Sequence, residues 1–211
     1  MNRFLKALAG THVYPLTDRR ISGLSHQQQV LALSSSGARI IQLREKELSP
    51  REFYSEAAAA ISVARQRGVQ MVINDRVDVA HALNAEGVHL GQDDFPPEAA
   101  RQILGNRAII GVSTHDLEQI RLAARMPVDY VAFGPIFSTT AKESSSPTLG
   151  VGPVREAVEL LRGIPLVAIG GITEAKCGEL LEAGAAAVAV VTDCWKPSTA
   201  APERRSQLFQ L

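Results

Sequence analysis

The stretch "QMVINDR", residues 70–76, followed closely by "GVHLGQDD", residues 87–94, decides how this chain is read. Each is a short apolar run of the kind that buries on both faces, and each leads into acid: Asp75, after Asn74, in the first, Asp93 and Asp94 in the second. A surface loop holds carboxylates at no cost. Two buried strands that both deliver them at the same end point to a shared purpose at that end.

Outward from this pair the same unit recurs. Val/Ile-rich runs stand at "HVYPLT" (12–17), "ARIIQL" (38–43), "AIIGVS" (108–113), "YVAFG" (130–134), "PLVAIG" (165–170) and "AAVAVVT" (186–192), making eight with "VQMVIN" (69–74) and "GVHLG" (87–91). They are near-continuous rather than alternating, as expected when helices cover both faces of a parallel sheet. The segments between them carry helix signals. Ser49 is an N-cap, Pro50 takes the first helical position, and that segment closes on Gly68. A second helix is expected to start at Thr114, and another to run from Thr173 to Gly184. Regular alternation without a break in composition predicts a single (β/α)8 TIM barrel over residues 1–211, with an open doubly wound sheet as the alternative.

The totals agree with that reading and narrow the chemistry. At 211 residues the chain can bury a sizeable core and carry a site on top of it. Lys+Arg and Asp+Glu are 22 each, so no basic field of the sort that binds nucleic acid is expected. Cys177 and Cys194 have no metal-ligand or redox-motif spacing and read as reduced thiols. "MNRFLKALAG" lacks a signal-peptide apolar region, and no run approaches membrane-spanning length, so no membrane partner and a cytoplasmic location are expected.

Barrels of this class build their sites at the C-terminal ends of the strands. Those ends collect Asp18, then Gln42, Arg44 and Lys46, then Asn74 and Asp75, then Asp93 and Asp94, then Ser113, then Thr139, Thr140 and Lys142, then Gly170 and Gly171, and last Thr192. The opposite ends hold no comparable set. Asp75 and Asp94 are hard oxygen donors suited to Mg²⁺, which takes one or two carboxylates and completes its shell with water and phosphate. Arg44, Lys46 and Lys142 would meet phosphate oxygens, Arg as a fork and Lys as a point charge. Together they suggest a metal-bridged diphosphate; taken singly, each is also compatible with an ordinary surface ion pair. The Gly170–Gly171 turn and the end of the eighth run suit a monophosphate held by backbone N–H groups, or equally a tight turn and a helix cap. His89 reads as a packed or hydrogen-bonded residue, His115 lies near the rim, and Cys194 reads as a packed thiol. No nucleophile-elbow, P-loop or dinucleotide motif is present.

The ordered set "YPLTD", "QLREK", "VINDRVDVA", "GVHLGQDD", "GVSTH", "DYVAFGPIFSTTAK", "VAIGGI" and "AVAVVT" resembles the thiamin phosphate synthase family along nearly the whole chain, from Tyr14 to Thr192. The resemblance implies condensation of a hydroxymethylpyrimidine diphosphate with a thiazole monophosphate, releasing diphosphate. It implies that Asp75 and Asp94 hold Mg²⁺. It places Gln42, Arg44, Lys46, Asn74, Ser113 and Lys142 around the pyrimidine diphosphate, with Arg44, Lys46, Ser113 and Lys142 catalytic. Thr139, Thr140, Ala141, Gly171, Val191 and Thr192 would hold the thiazole phosphate, largely through the backbone. The partners implied are small phosphorylated substrates, and a homo-oligomer is compatible with the sequence.

Two segments depart from the family pattern. Ser138-Thr139-Thr140-Ala141-Lys142 stands where Pro-Thr-x-Thr-Lys is common, so Ala141 lacks a hydroxyl but keeps its N–H. Thr192-Asp193 stands where a small Ser-Ala pair is common, and an acid beside a phosphate is unfavourable unless Asp193 points away. Two other readings compete: a thiazole tautomerase, which typically lacks the acid and glutamine found here as Asp94 and Gln42, and a non-catalytic barrel that binds a phosphorylated metabolite.

Overall fold

Each of the eight apolar runs forms a strand, and each strand hydrogen-bonds in parallel to the next until the last meets the first. The computed structural model describes residues 2–8, 10–139, 147–195 and 207–210. Within them the strands are β1 Val13–Thr17, β2 Ile40–Leu43, β3 Gln70–Asn74, β4 Gly87–Leu90, β5 Ile109–Thr114, β6 Tyr130–Phe133, β7 Leu166–Ile169 and β8 Ala187–Val190. They close as a barrel in sequence order, with β1 bonded to both β2 and β8. The doubly wound alternative is thereby excluded, because an open sheet would leave two edges unpaired.

The helices are α1 Arg3–Leu8, α2 Arg19–Ser22, α3 His26–Ser35, α4 Pro50–Gln66, α5 Val77–Ala82, α6 Pro97–Leu104, α7 Leu117–Ala123, α8 Gly152–Leu160 and α9 Glu174–Glu182. α4 starts as its sequence dictates: Ser49 caps Glu52 N–H, the Glu52 side chain returns to the Ser49 N–H, and Pro50 sits at the first position. α7 corrects an expectation. Thr114 does not open it; Thr114 is still in β5, where its hydroxyl donates to the Ala132 carbonyl, and Asp116 is the residue that caps the Gln119 N–H. A hydroxyl that finds a partner across the sheet is unavailable as a cap.

Two apolar layers form, one inside the barrel and one between barrel and helices. The inner layer is filled from below by α1, whose Phe4 stacks on Tyr130 with ring centroids 4.2 Å apart and meets Tyr14 edge-on at 5.3 Å. Arg3 and Asn2 tie this helix to Asp129, just before β6, so α1 closes the N-terminal end of the barrel. Phe4, Ala7 and Leu8 of α1 are thus part of the core. Among the described residues no helix is long and apolar enough to cross a membrane.

Gly111 in β5 is set by packing. A methyl group there would lie 2.1 Å from a Tyr130 ring carbon, so the tyrosine owes its place to the missing side chain. Gly111→Ala should therefore cost about 1–3 kcal/mol of folding stability through overpacking, read as a lower urea midpoint with an unchanged slope.

Candidate active site

The strand ends that collect polar residues in the sequence converge on the open mouth. β1 ends in Thr17 and passes to Asp18, whose carboxylate caps α2 by accepting from Arg20 and Ile21 N–H. Its other oxygen receives the Arg44 guanidinium at 2.6 Å, so Arg44 leaves β2 already oriented. Beyond it, Lys46 forms an ion pair with Asp75 from the end of β3. Asp75 adopts a positive φ of 64°, unusual for a residue with a side chain, and its N–H donates to the His89 carbonyl of β4 at 2.8 Å. The backbone is held in that turn, which directs the carboxylate toward its neighbour.

That neighbour is Asp94. Its Oδ2 accepts from the Gly91 N–H at 2.6 Å, and its carboxyl lies close enough to Asp75 for the two acids to influence one another. Partial loss of solvent raises the Asp94 carboxyl above its ordinary range, and contact with Asp75 raises it further; the Gly91 N–H and Lys46 oppose the rise. Two carboxylates in contact resist joint ionisation, and a hard cation between them would relieve the repulsion. Among the described residues no group of three or more His, Cys, Asp or Glu gathers to make a full protein cage. Two carboxylates are a donor set that fits a metal drawing most of its ligands from water and substrate. Asp93, next to this pair, is exposed.

Behind the acids lies a buried polar chain that spans the barrel. Gln42 donates to the Tyr14 hydroxyl at 3.4 Å, and Tyr14 and Tyr130 share a hydroxyl–hydroxyl bond of 3.1 Å. The Tyr130 hydroxyl meets His89 Nδ1 at 2.8 Å, and His89 Nε2 meets the Ser113 hydroxyl at 2.8 Å. Burial raises both tyrosines well above their ordinary values and keeps them neutral. His89 is therefore a hydrogen-bonded residue, as expected, and it connects two residues of the expected set, Gln42 and Ser113. Asn74 closes β3 and is buried beside Asp75. His115 stands at the rim with Nδ1 donating to the Gly134 carbonyl at 2.6 Å.

On the other side of Arg44 and Ser113 opens a cleft of about 380 Å³, lined also by Thr139, Gly171, Val191 and Thr192. The glycines of this wall answer first to backbone crowding. A side chain at Gly170 would fall 2.6 Å from the Pro135 Cα and one at Gly171 2.3 Å from the Ser138 carbonyl, and both have positive φ. Asp193 is buried, and its carboxylate accepts from the Glu174 N–H at the start of α9, so it caps that helix. The acid is thereby engaged by the start of α9. Cys194 is buried, as expected of a packed thiol. Thr140, Ala141 and Lys142 lie outside the described residues.

Tyr14, Tyr130, Thr17, His26 and Glu45 take part in the site's framework and were not singled out from the sequence. Their signal is weak: four are polar residues inside or beside strands that otherwise read as core, and His26 opens α3.

If Asp75 raises the Asp94 carboxyl by contact, Asp75→Asn should bring the Asp94 carboxyl back toward its ordinary value. Carboxyl ¹³C shifts followed through an acid titration of metal-free protein would read this. An Asp94 titration that stays in place would remove the pairing.

Comparison with known proteins shows the family. The family model described as thiamine monophosphate synthase matches residues 13–194. The thiamine-phosphate synthase of Chloroflexus aurantiacus is 42% identical over 181 residues, 85% of this chain and 83% of that protein. That of Caldicellulosiruptor saccharolyticus is 40% identical over 190 residues, 90% and 86% of the two chains. Among solved structures, a thiamine phosphate pyrophosphorylase from Pyrococcus furiosus superposes with a TM-score of 0.84 at 31% identity, covering 98% of each chain. An aldolase barrel superposes with a TM-score of 0.72 at 17% identity, a likeness of fold alone. The match of family model, sequence relatives and structure over nearly the full length makes this chain a member of the thiamine monophosphate synthase family.

Proposed function

We propose that the chain works as one barrel domain, residues 1–211, in the cytoplasm, joining a hydroxymethylpyrimidine diphosphate to a thiazole monophosphate to give thiamin phosphate and diphosphate. One observation carries the assignment of the site: the Asp75–Asp94 pair with Lys46 and Arg44 beside it, adjoining a separate cleft walled by Gly171, Val191 and Thr192. An acid pair with cations beside it, adjoining a cleft that Arg44 borders, suits two phosphorylated substrates that must meet end to end.

Asp75 and Asp94 would hold Mg²⁺, which supplies charge to the leaving diphosphate when bound. Arg44, Lys46 and Lys142 would meet the remaining phosphate oxygens, and Ser113 would contact the same substrate, with Gln42 and Asn74 completing the pyrimidine pocket. Thr139, Thr140, Ala141, Gly171, Val191 and Thr192 would bind the thiazole phosphate, mainly by N–H groups. The bond from the pyrimidine methylene to the diphosphate oxygen breaks, both electrons leaving with diphosphate. The thiazole nitrogen then donates its lone pair to the methylene carbon. No proton moves in either step, so no side chain has to act as a strong base. The residues' work is to orient the two substrates and to offset charge on the leaving group.

The first test is incubation of the purified protein with both substrates and Mg²⁺, thiamin phosphate being read by mass, beside a sample in EDTA. Product only with metal is expected. Asp94→Ala should lower Mg²⁺-dependent turnover by about 10²-fold or more, the scale of removing a group that stabilises developing charge, while the circular dichroism spectrum is unchanged. Undiminished turnover in that variant would overturn the metal assignment.

A further inference from the structure

The segment that carries Arg44 and Lys46 has no regular structure, yet it is bound at both of its ends. The Arg44 N–H lies 3.3 Å from the Thr17 hydroxyl, which lies 2.8 Å from His26 Nδ1. His26 Nε2 is 3.1 Å from Glu45 Oε2, and Glu45 Oε1 accepts from the N–H groups of Lys46 and Glu47, both at 2.8 Å. The contacts form a closed circuit that leaves the chain at residue 44 and returns to it at 46 and 47. His26 and Thr17 are fully buried, and the Glu45 side chain is 7% exposed.

The directions of these bonds are fixed by their ends. The Glu45 carboxylate can only accept, so Nε2 carries the proton and Nδ1 accepts from the Thr17 hydroxyl, which in turn accepts from Arg44 N–H. Every donor in the circuit then has an acceptor. Burial holds His26 below its ordinary value, which keeps the ring neutral; Glu45, the next influence, opposes this. The Glu45 carboxyl lies below its ordinary range: burial raises it, and the bonds from Glu47 N–H, His26 and Lys46 N–H together outweigh that.

We propose that His26 is a positioning residue: through Glu45 and Thr17 it fixes the segment that presents Arg44 and Lys46 to the diphosphate. Glu45 lies between two cations in the chain, yet its carboxylate meets His26 at 3.1 Å and, more distantly, Arg19 at 4.0 Å rather than either of them. The circuit turns its charge inward and leaves Lys46 for Asp75 and the mouth. This inference rests on the assignment of Arg44 and Lys46 to the diphosphate.

The test joins kinetics to spectroscopy. His26→Phe keeps the ring volume and removes both nitrogens. Its KM for the pyrimidine diphosphate should rise about tenfold, the scale of one lost charge-assisted hydrogen bond, with a matching loss in calorimetric affinity for inorganic diphosphate and Mg²⁺. Arg44→Ala is run beside it. A raised KM in Arg44→Ala with none in His26→Phe would overturn the positioning role; an unchanged KM in Arg44→Ala would overturn the diphosphate assignment and this inference with it. Should His26→Phe fail to fold, the ¹⁵N shifts of His26 decide the matter in the intact enzyme. They should report the neutral Nε2–H form, and Glu45→Gln should invert it to Nδ1–H, since the amide nitrogen then faces Nε2. An Nδ1–H form in the unaltered enzyme would overturn the circuit.

Discussion

Asp75 and Asp94 repel one another, and the mouth of the barrel is arranged around that repulsion. Closure of eight parallel strands brings the C-terminal ends of β3 and β4 side by side, and the Gly91 N–H holds Asp94 near the acid that follows β3. Lys46 supplies part of the compensating charge, and the raised Asp94 carboxyl records what is left over. A folded protein that keeps such a conflict stores a preference for cations at that point. The same closure draws Arg44 and Ser113 toward the centre, where they border the second cleft.

The fold was legible because its signal is redundant. Each expected strand falls within two residues of an observed one, since a parallel barrel buries both strand faces and leaves continuous apolar runs. Boundaries were softer where one residue had two partners on offer, as Thr114 had. The acids and cations of the mouth could also be read, because charge at the end of an apolar run is conspicuous. The framework below them could not. Tyr14, Tyr130 and His89 sit within strands whose composition says only that they are buried, and their hydrogen bonds join residues up to 116 positions apart. Nor does sequence reveal that Glu45, in the middle of "QLREK", turns away from the two cations that flank it. That depends on a histidine 19 positions earlier.

Asp193 illustrates how a departure from a family pattern can be absorbed. Its carboxylate, unwelcome beside a phosphate, is taken up by the start of α9, where the helix favours negative charge. The glycines at 170 and 171 serve two demands at once. They let the β7 turn pass close to residues 135–138, and the same bare backbone is what a bound phosphate would approach.

The short helix α1 has a practical meaning. It enters the barrel from the end opposite the mouth, and Phe4 is the floor on which Tyr14 and Tyr130 rest. A tag or fusion partner joined ahead of α1 would enter on the far side of the barrel from the mouth. Trimming the chain back to β1 would do something different: it would admit water beneath the tyrosine pair and loosen, from below, the chain that ends at Gln42 and Ser113. The helix is the stopper of the vessel rather than a handle on it.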